Sequence, residues 1–211
     1  MERIHTHSPQ RGLSINAYVL RPFTFSDANG DGIITPDEVT PGAGFIYYGY
    51  SVPRDIAAIT NGLDLFERHL RLTVLFDYKG GYNLNNASGS FYATNFATWY
   101  SENVKDTPLW DQARNVAASS AKNPATSIGY YENGAYWRLR EVSAAWTMPK
   151  RVADRIRARD AQIVFSARNL HTWTNYTGVD PEANYGSGDV QNTFSTTAPR
   201  TYFSLRANLH Y

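Results

Sequence analysis

Thr201-Tyr-Phe-Ser-Leu-Arg-Ala-Asn-Leu-His-Tyr211 is the stretch whose reading decides the fold. Phe203, Leu205, Ala207, Leu209 and Tyr211 fall on one side of an extended chain and Ser204, Arg206, Asn208 and His210 on the other, the two-residue period of a strand with one apolar face. Two architectures end a chain this way. A soluble β-sandwich buries the apolar side under a second sheet. An outer-membrane β-barrel turns it to lipid and presents the terminal aromatic to the insertion machinery.

The same period recurs upstream. His69–Tyr78 sets Leu70, Leu72, Val74, Phe76 and Tyr78 against His69, Arg71, Thr73, Leu75 and Asp77. Leu13–Phe25, Ala57–Leu65 and Ala161–Asn169 alternate in the same manner. Between Ala135 and Met148 the apolar side is Trp137 and Leu139, then Val142, Ala144 and Trp146, so parity flips near Arg140-Glu141, as a β-bulge would make it. With the terminal segment this predicts an all-β, antiparallel, up-and-down sheet of about six strands. The connections divide into short ones, Glu67-Arg68 and Pro149–Asp160, and long ones, Ser26–Ile56, Gly81–Gly134 and Trp173–Arg200, in alternation. Short turns on one side and long loops on the other are the habit of membrane barrels.

Composition narrows the function classes. The chain has 211 residues, no Cys and a net charge of +1, which excludes disulfide frameworks and thiolate metal sites and gives no electrostatic case for nucleic acid. Fifteen Tyr, ten Phe and five Trp accompany a negative mean hydropathy, the combination of aromatic girdles with a wet second face. No apolar run approaches the ~18 residues of a membrane helix, and the first residues contain no apolar segment resembling an export signal.

Asp27-Ala-Asn-Gly-Asp-Gly-Ile-Ile-Thr-Pro-Asp-Glu38 has the donor spacing of a calcium loop: the side chains of Asp27, Asn29 and Asp31, the Ile33 carbonyl, and Glu38 at the twelfth position. No helical pair flanks it, so the expected role is a static structural Ca2+ site. The competing reading is a turn in which Asp and Asn bond their own backbone.

Three motifs in order, Asn133-Gly-Ala-Tyr-Trp-Arg-Leu…Pro149, Val164-Phe-Ser-Ala-Arg-Asn-Leu170 and Tyr176-Thr-Gly-Val-Asp-Pro-Glu-Ala-Asn184, resemble the C-terminal part of SusC/RagA-type TonB-linked outer-membrane transporters. The Asp-x-Asn-Gly-Asp-Gly loop followed by a hairpin is also similar to that family, so the resemblance runs from about Phe25 to Tyr211. It implies a 22-stranded transmembrane β-barrel with a plug, energised through TonB, importing glycans or peptides with a SusD-like lipoprotein. The outer membrane is the implied location, with long loops extracellular and the C-terminus periplasmic. Six strands do not close a barrel, since the smallest need about eight, which makes residues 1–211 a C-terminal barrel segment whose plug and earlier strands have no counterpart in this chain. Phe203, Leu205, Ala207, Leu209 and Tyr211 would then form the barrel-assembly strand.

No catalytic constellation is readable. His5, His7, His69, His171 and His210 have no nucleophile or paired carboxylate at telling spacing, and Asp180 and Glu182 are expected to tie down a loop rather than to transfer protons. The rival from another class is a soluble, secreted, calcium-binding β-sandwich that binds carbohydrate through aromatic loops. The environment of Leu70, Leu72, Val74, Phe76 and Tyr78 separates the two.

Overall fold

A computed structural model of the chain describes residues 13–183 and 192–211. His5, His7 and the Asn184 end of the third motif lie outside them. In chain order the strands are β1 (Ala17–Leu20), β2 (Phe23–Phe25), β3 (Val39–Pro41), β4 (Ile46–Tyr50), β5 (Asp55–Leu65), β6 (Leu70–Gly80), β7 (Asn83–Asn85), β8 (Tyr131–Asn133), β9 (Tyr136–Thr147), β10 (Asp160–Thr174) and β11 (Tyr202–His210). The α-helices are α1 (Ala87–Phe96), α2 (Trp99–Glu102), α3 (Leu109–Ala118) and α4 (Lys150–Arg155).

The described residues form two units, each with its own logic. Asp55–Gly80, Tyr136–Thr174 and Pro199–Tyr211 make a single antiparallel sheet in the order β11-β10-β9-β6-β5. The order is sequential, so every connection joins neighbours and none crosses, as an up-and-down wall requires. Five strands stand where six were expected. The missing one is Leu13–Phe25, which breaks at Arg21-Pro22 because proline offers no N–H to a ladder. Its halves pair elsewhere, β1 with β4 and β2 with β3.

Register fixes which ends coincide. Leu65 faces Leu70, Leu70 faces Trp146, Thr147 faces Gln162, and Asp160 faces His210, so the short turns and the end of β11 share one edge. Asp55 faces Gly80 and Tyr136 faces both Lys79 and Thr174, so the three long connections leave and re-enter at the other. The β5–β6 turn holds Phe66, Glu67 and Arg68 at φ of 53°, 55° and 70°, left-handed conformations suited to the twist of a tight hairpin. At the β9–β10 turn Pro149 ends the strand and starts α4, and Met148 N–H donates to the Ala161 carbonyl at 2.9 Å across its base.

The long connections fold into the second unit rather than running as irregular loops. In that unit Ile34 and Val39 pack on Ala113, Val116 and Ala117 of α3, while Tyr18 and Leu20 pack on Ile128 and Tyr131. A buried polar network supports these contacts. Gln112 accepts from Ile34 N–H at 2.8 Å and donates to the carbonyls of Gly32, Val104 and Thr107, and Asn103 donates to the Ile34 and Gln112 carbonyls. Satisfied buried amides of this kind fix one packing of a segment that has too few apolar residues to do so alone.

Candidate functional site

The sheet sorts its side chains by face with almost no exceptions. Partner residues in an antiparallel ladder share a face, so the register collects Leu70, Leu72, Val74, Phe76 and Tyr78 of β6 with Trp146, Ala144, Val142, Leu139 and Trp137 of β9. On β10 and β11 the same face continues through Ile163, Phe165 and Ala167 to Ala207, Leu205 and Phe203. The expected assembly strand therefore has its apolar residues where the sequence pattern put them. The strand itself closes at His210, with Tyr211 following it.

Rings mark one border of this face. Tyr78 lies 4.9 Å from Trp137 between ring centroids, and Phe76 lies 6.1 Å from Trp173. With Ile59 these last three line a shallow cavity of about 310 Å³. Trp146 stands at the opposite border, beside Leu70. The face is uncovered among the described residues: Trp137, Trp146, Phe165, Trp173 and Leu205 keep 40, 42, 45, 49 and 75% of their surface. A sandwich core would bury them, so the soluble reading loses the observation it needs.

The opposite face is polar and internally bonded. Arg168 binds Glu141 at 2.7 Å and the Tyr202 hydroxyl at 3.2 Å, Ser166 meets Ser204 at 2.8 Å, and Asn208 donates to Gln162 at 3.2 Å. At its centre is the bulge. Glu141 faces Leu75 and Leu139 faces Phe76, leaving Arg140 as one residue too many on β9. On β10 the step from Arg168 to His171 leaves two, Asn169 and Leu170, opposite that one, and Asn169 takes φ of 52°. Arg140 ties the step together, donating through Nε to Asp77 at 3.0 Å and through a terminal nitrogen to Asn169 Oδ1 at 3.2 Å. The parity flip in β9 is thus explained. The end of β10 is a correction: His171 and Trp173 belong to the strand, not to the loop in which the sequence reading placed Trp173.

The Asp27–Glu38 loop closes on itself. Asp27 accepts from the N–H groups of Gly30, Asp31 and Gly32, Asn29 from Asp31, and Asp31 from Ile33. Glu38 accepts from Ala28 N–H at 2.9 Å and from both N–H and hydroxyl of Thr35 at 2.9 Å. These bonds, the one from Thr35 N–H first, hold the Glu38 carboxyl below its ordinary pKa. Among the described residues no three His, Asp or Glu side chains converge as metal ligands. The Asx-turn bonds therefore account for the loop's conformation without an ion, and the oxygen spacing alone speaks for calcium.

The remaining sequence candidates resolve into structural roles. Asp180 is buried and its carboxylate accepts the Glu182 N–H at 2.8 Å, while Tyr82 donates to the Pro181 carbonyl at 3.2 Å. Thr177 binds Glu132 through its N–H and hydroxyl at 2.8 and 2.7 Å, and Tyr176 packs with Tyr82 and Leu84. His69 Nδ1 sits 3.2 Å from the Thr147 carbonyl, and the His171 ring lies 4.4 Å from that of Trp173. Of the aromatics in and beside the long loops, whose rings could stack on sugars, Tyr82 is buried, Tyr48 packs edge-on to Tyr131, and Trp110 stacks on Phe23 at 5.2 Å. Phe91, Tyr92 and Tyr100 remain exposed. Sequence reading missed the clamp made by Gln112 of α3 and Asn103, the residue that caps α2, whose only signal was one amide beside each helix's apolar residues.

Two curated relatives align with the chain. TonB-dependent receptor P26 of Formosa agariphila is 27% identical over 175 residues, 80% of this chain and 17% of the relative, and TonB-dependent receptor P3 of the same organism is 33% identical over 77 residues, 36% and 8%. In sequence the chain is similar to these TonB-dependent receptors. Among solved structures, the RagAB peptide transporter matches with a TM-score of 0.62 at 16% identity, over 91% of this chain and 22% of that one. The RagAB peptide importer in its open-open state gives 0.61 at 16% identity, over 92% and 22%. No family model matches the chain. The chain spans less than a quarter of the length of the relatives and structures it matches.

Proposed function

We propose that the chain is the C-terminal wall segment of an outer-membrane TonB-dependent importer. In this reading the five-stranded sheet is a fraction of a 22-stranded barrel, its apolar face turned to lipid, its polar face to the lumen, and the 149–159 turn to the periplasm. The long connections form the extracellular unit, a SusD-like lipoprotein covers it, and TonB acts through a plug supplied by the rest of the barrel. Peptides or glycans are the cargo, the former by analogy with RagAB. The class is transport rather than catalysis. The observation that carries it is the uncovered apolar face with rings at its borders.

This chain has no cysteine, so introduced ones report cleanly once any cysteines in the rest of the transporter are replaced. In the intact transporter, L72C, V74C and L205C should react with a membrane-soluble maleimide and resist a charged one, and T73C and R206C should behave in the opposite way. Uniform reactivity across the two sets would remove the membrane-wall reading.

The loop at Asp27–Glu38 enters the proposal as a structural calcium site, supported by its donor spacing. The terminal strand enters as the element read by the insertion machinery, supported by the placement of Phe203, Leu205, Ala207 and Leu209 on one face.

A further inference from the structure

The turn between β9 and β10 is short but heavily charged. Lys150, Arg151, Arg155, Arg157 and Arg159 stand against Asp154 and Asp160. Lys150 is spoken for, bridging Asp154 at 3.0 Å one helical turn on. The four arginines are exposed and have no acidic partner among the described residues. Between them the turn also exposes two apolar side chains, Val152 at 37% and Ile156 at 47%.

The backbone under these side chains is firmly held. Ala153 and Ala158 are buried, Ala158 N–H donates to the Ala153 carbonyl at 3.1 Å, and Arg159 N–H donates to the His210 carbonyl at 2.6 Å. The turn begins three residues after Trp146 and ends where the apolar face resumes at Ala161 and Ile163. It is therefore continuous with the border of that face. Cations interleaved with exposed apolar residues at such a border match the headgroup region, where apolar atoms enter the acyl boundary and guanidinium forks pair with phosphate oxygens.

We propose that the 149–159 turn is an anchor for anionic glycerophospholipid, with Arg151, Arg155, Arg157 and Arg159 binding headgroup phosphates of the leaflet on the turn side. The inference rests on the membrane-wall reading. An acidic protein partner accounts for the charge but not for the exposed Val152 and Ile156 at the border of the apolar face.

The test uses the intact transporter reconstituted in nanodiscs of equal phosphatidylethanolamine and phosphatidylglycerol, with lipids retained after mild delipidation counted by native mass spectrometry. The wild type should retain phosphatidylglycerol selectively. R151Q/R155Q/R157Q/R159Q should lower the ratio of retained phosphatidylglycerol to phosphatidylethanolamine by at least about tenfold, and K150Q should change it less than about twofold. Heat-modifiable gel migration checks folding of each variant; if the quadruple variant fails it, R151Q/R157Q is read the same way against a threefold drop. A folded variant with an unchanged ratio overturns the proposal, as does a second set of nanodiscs with added lipid A in which lipid A displaces phosphatidylglycerol from the wild type. A wild type that does not insert at all refutes the wall reading instead.

Discussion

An arginine at Val74 is expected to be costly, whereas one at Thr73, the next residue, should be nearly silent. On β9 the rings of Trp137 and Trp146 bound the apolar face nine residues apart. At a rise of ~3.3 Å per residue and a strand tilt of ~40°, that run covers ~23 Å along the membrane normal, close to the ~25 Å apolar band of a membrane barrel. Val74 pairs with Val142, near the middle of the run, so in the proposed wall its side chain would meet the bilayer close to the midplane. A guanidinium there costs roughly 2–4 kcal/mol, a factor of roughly 30 to 1,000 in the folding equilibrium. Thr73 faces the other way, between Gly62 and Ser143, on the polar face where a guanidinium stays solvated as that of Arg71 over Gly62 does. The assay is urea-dependent folding of the full transporter into liposomes, followed by intrinsic fluorescence and heat-modifiable migration. Equal losses from V74R and T73R, or a larger loss from T73R, would refute the assignment of faces and with it the depth scale built on the two tryptophans.

At the terminal strand, L205R and deletion of Tyr211 should lower surface levels of the transporter on immunoblots of isolated outer membranes, while N208R, on the polar face, should leave them near wild type. At the bulge, R140A removes a charge-assisted bond to Asp77 and the bond to Asn169, and should cost about 1–3 kcal/mol in denaturant unfolding. If calcium binds at Asp27–Glu38, calorimetry should show one site that D31A and E38Q abolish with little change in strand content; absence of heat leaves the Asx-turn reading standing. Glu38 has a folded pKa below its ordinary 4.5, so its contribution is present above that value and lost as pH falls through the lowered one. Limited proteolysis of the 27–38 loop should therefore accelerate with acidification in the wild type and show no such step in E38Q.

The sheet was legible where alternation is the whole signal. β6 reads cleanly because each apolar side chain on its apolar face meets an apolar partner on β5 or β9; only Leu75, on the other face, lies between Thr60 and Glu141. The bulge was legible in β9 because one extra residue inverts parity, and hidden in β10 because two extra residues restore it, so the strand was ended at Asn169 and Trp173 passed for loop. The loop unit was not legible at all. Its central helix has only a short stripe of mostly small residues, Leu109, Ala113, Val116 and Ala117, and buries Gln112 and Asn115 beside them, so much of what holds it is a set of amide bonds to carbonyls as many as 80 residues away. The family motif at Tyr176–Asn184 was recognisable as a pattern, but its physical purpose, fastening Glu132, Tyr82 and Leu84 together, appears only in three dimensions.

At one height of the sheet β6 has no added residue, β9 has one and β10 has two, a staircase rising across three neighbouring strands. Shear is the running total of such offsets around a closed wall, and with strand number it sets strand slope and bore. Across these three strands a path on the turn side of Arg140 and a path on the loop side therefore accumulate different offsets. Where the other strands add no compensating offset, a barrel that contains this staircase has two shear numbers, one on each side of the bulge, so the two ends need not share a diameter. Three amino acids are enough to uncouple the width of the opening from the width of the belt below it.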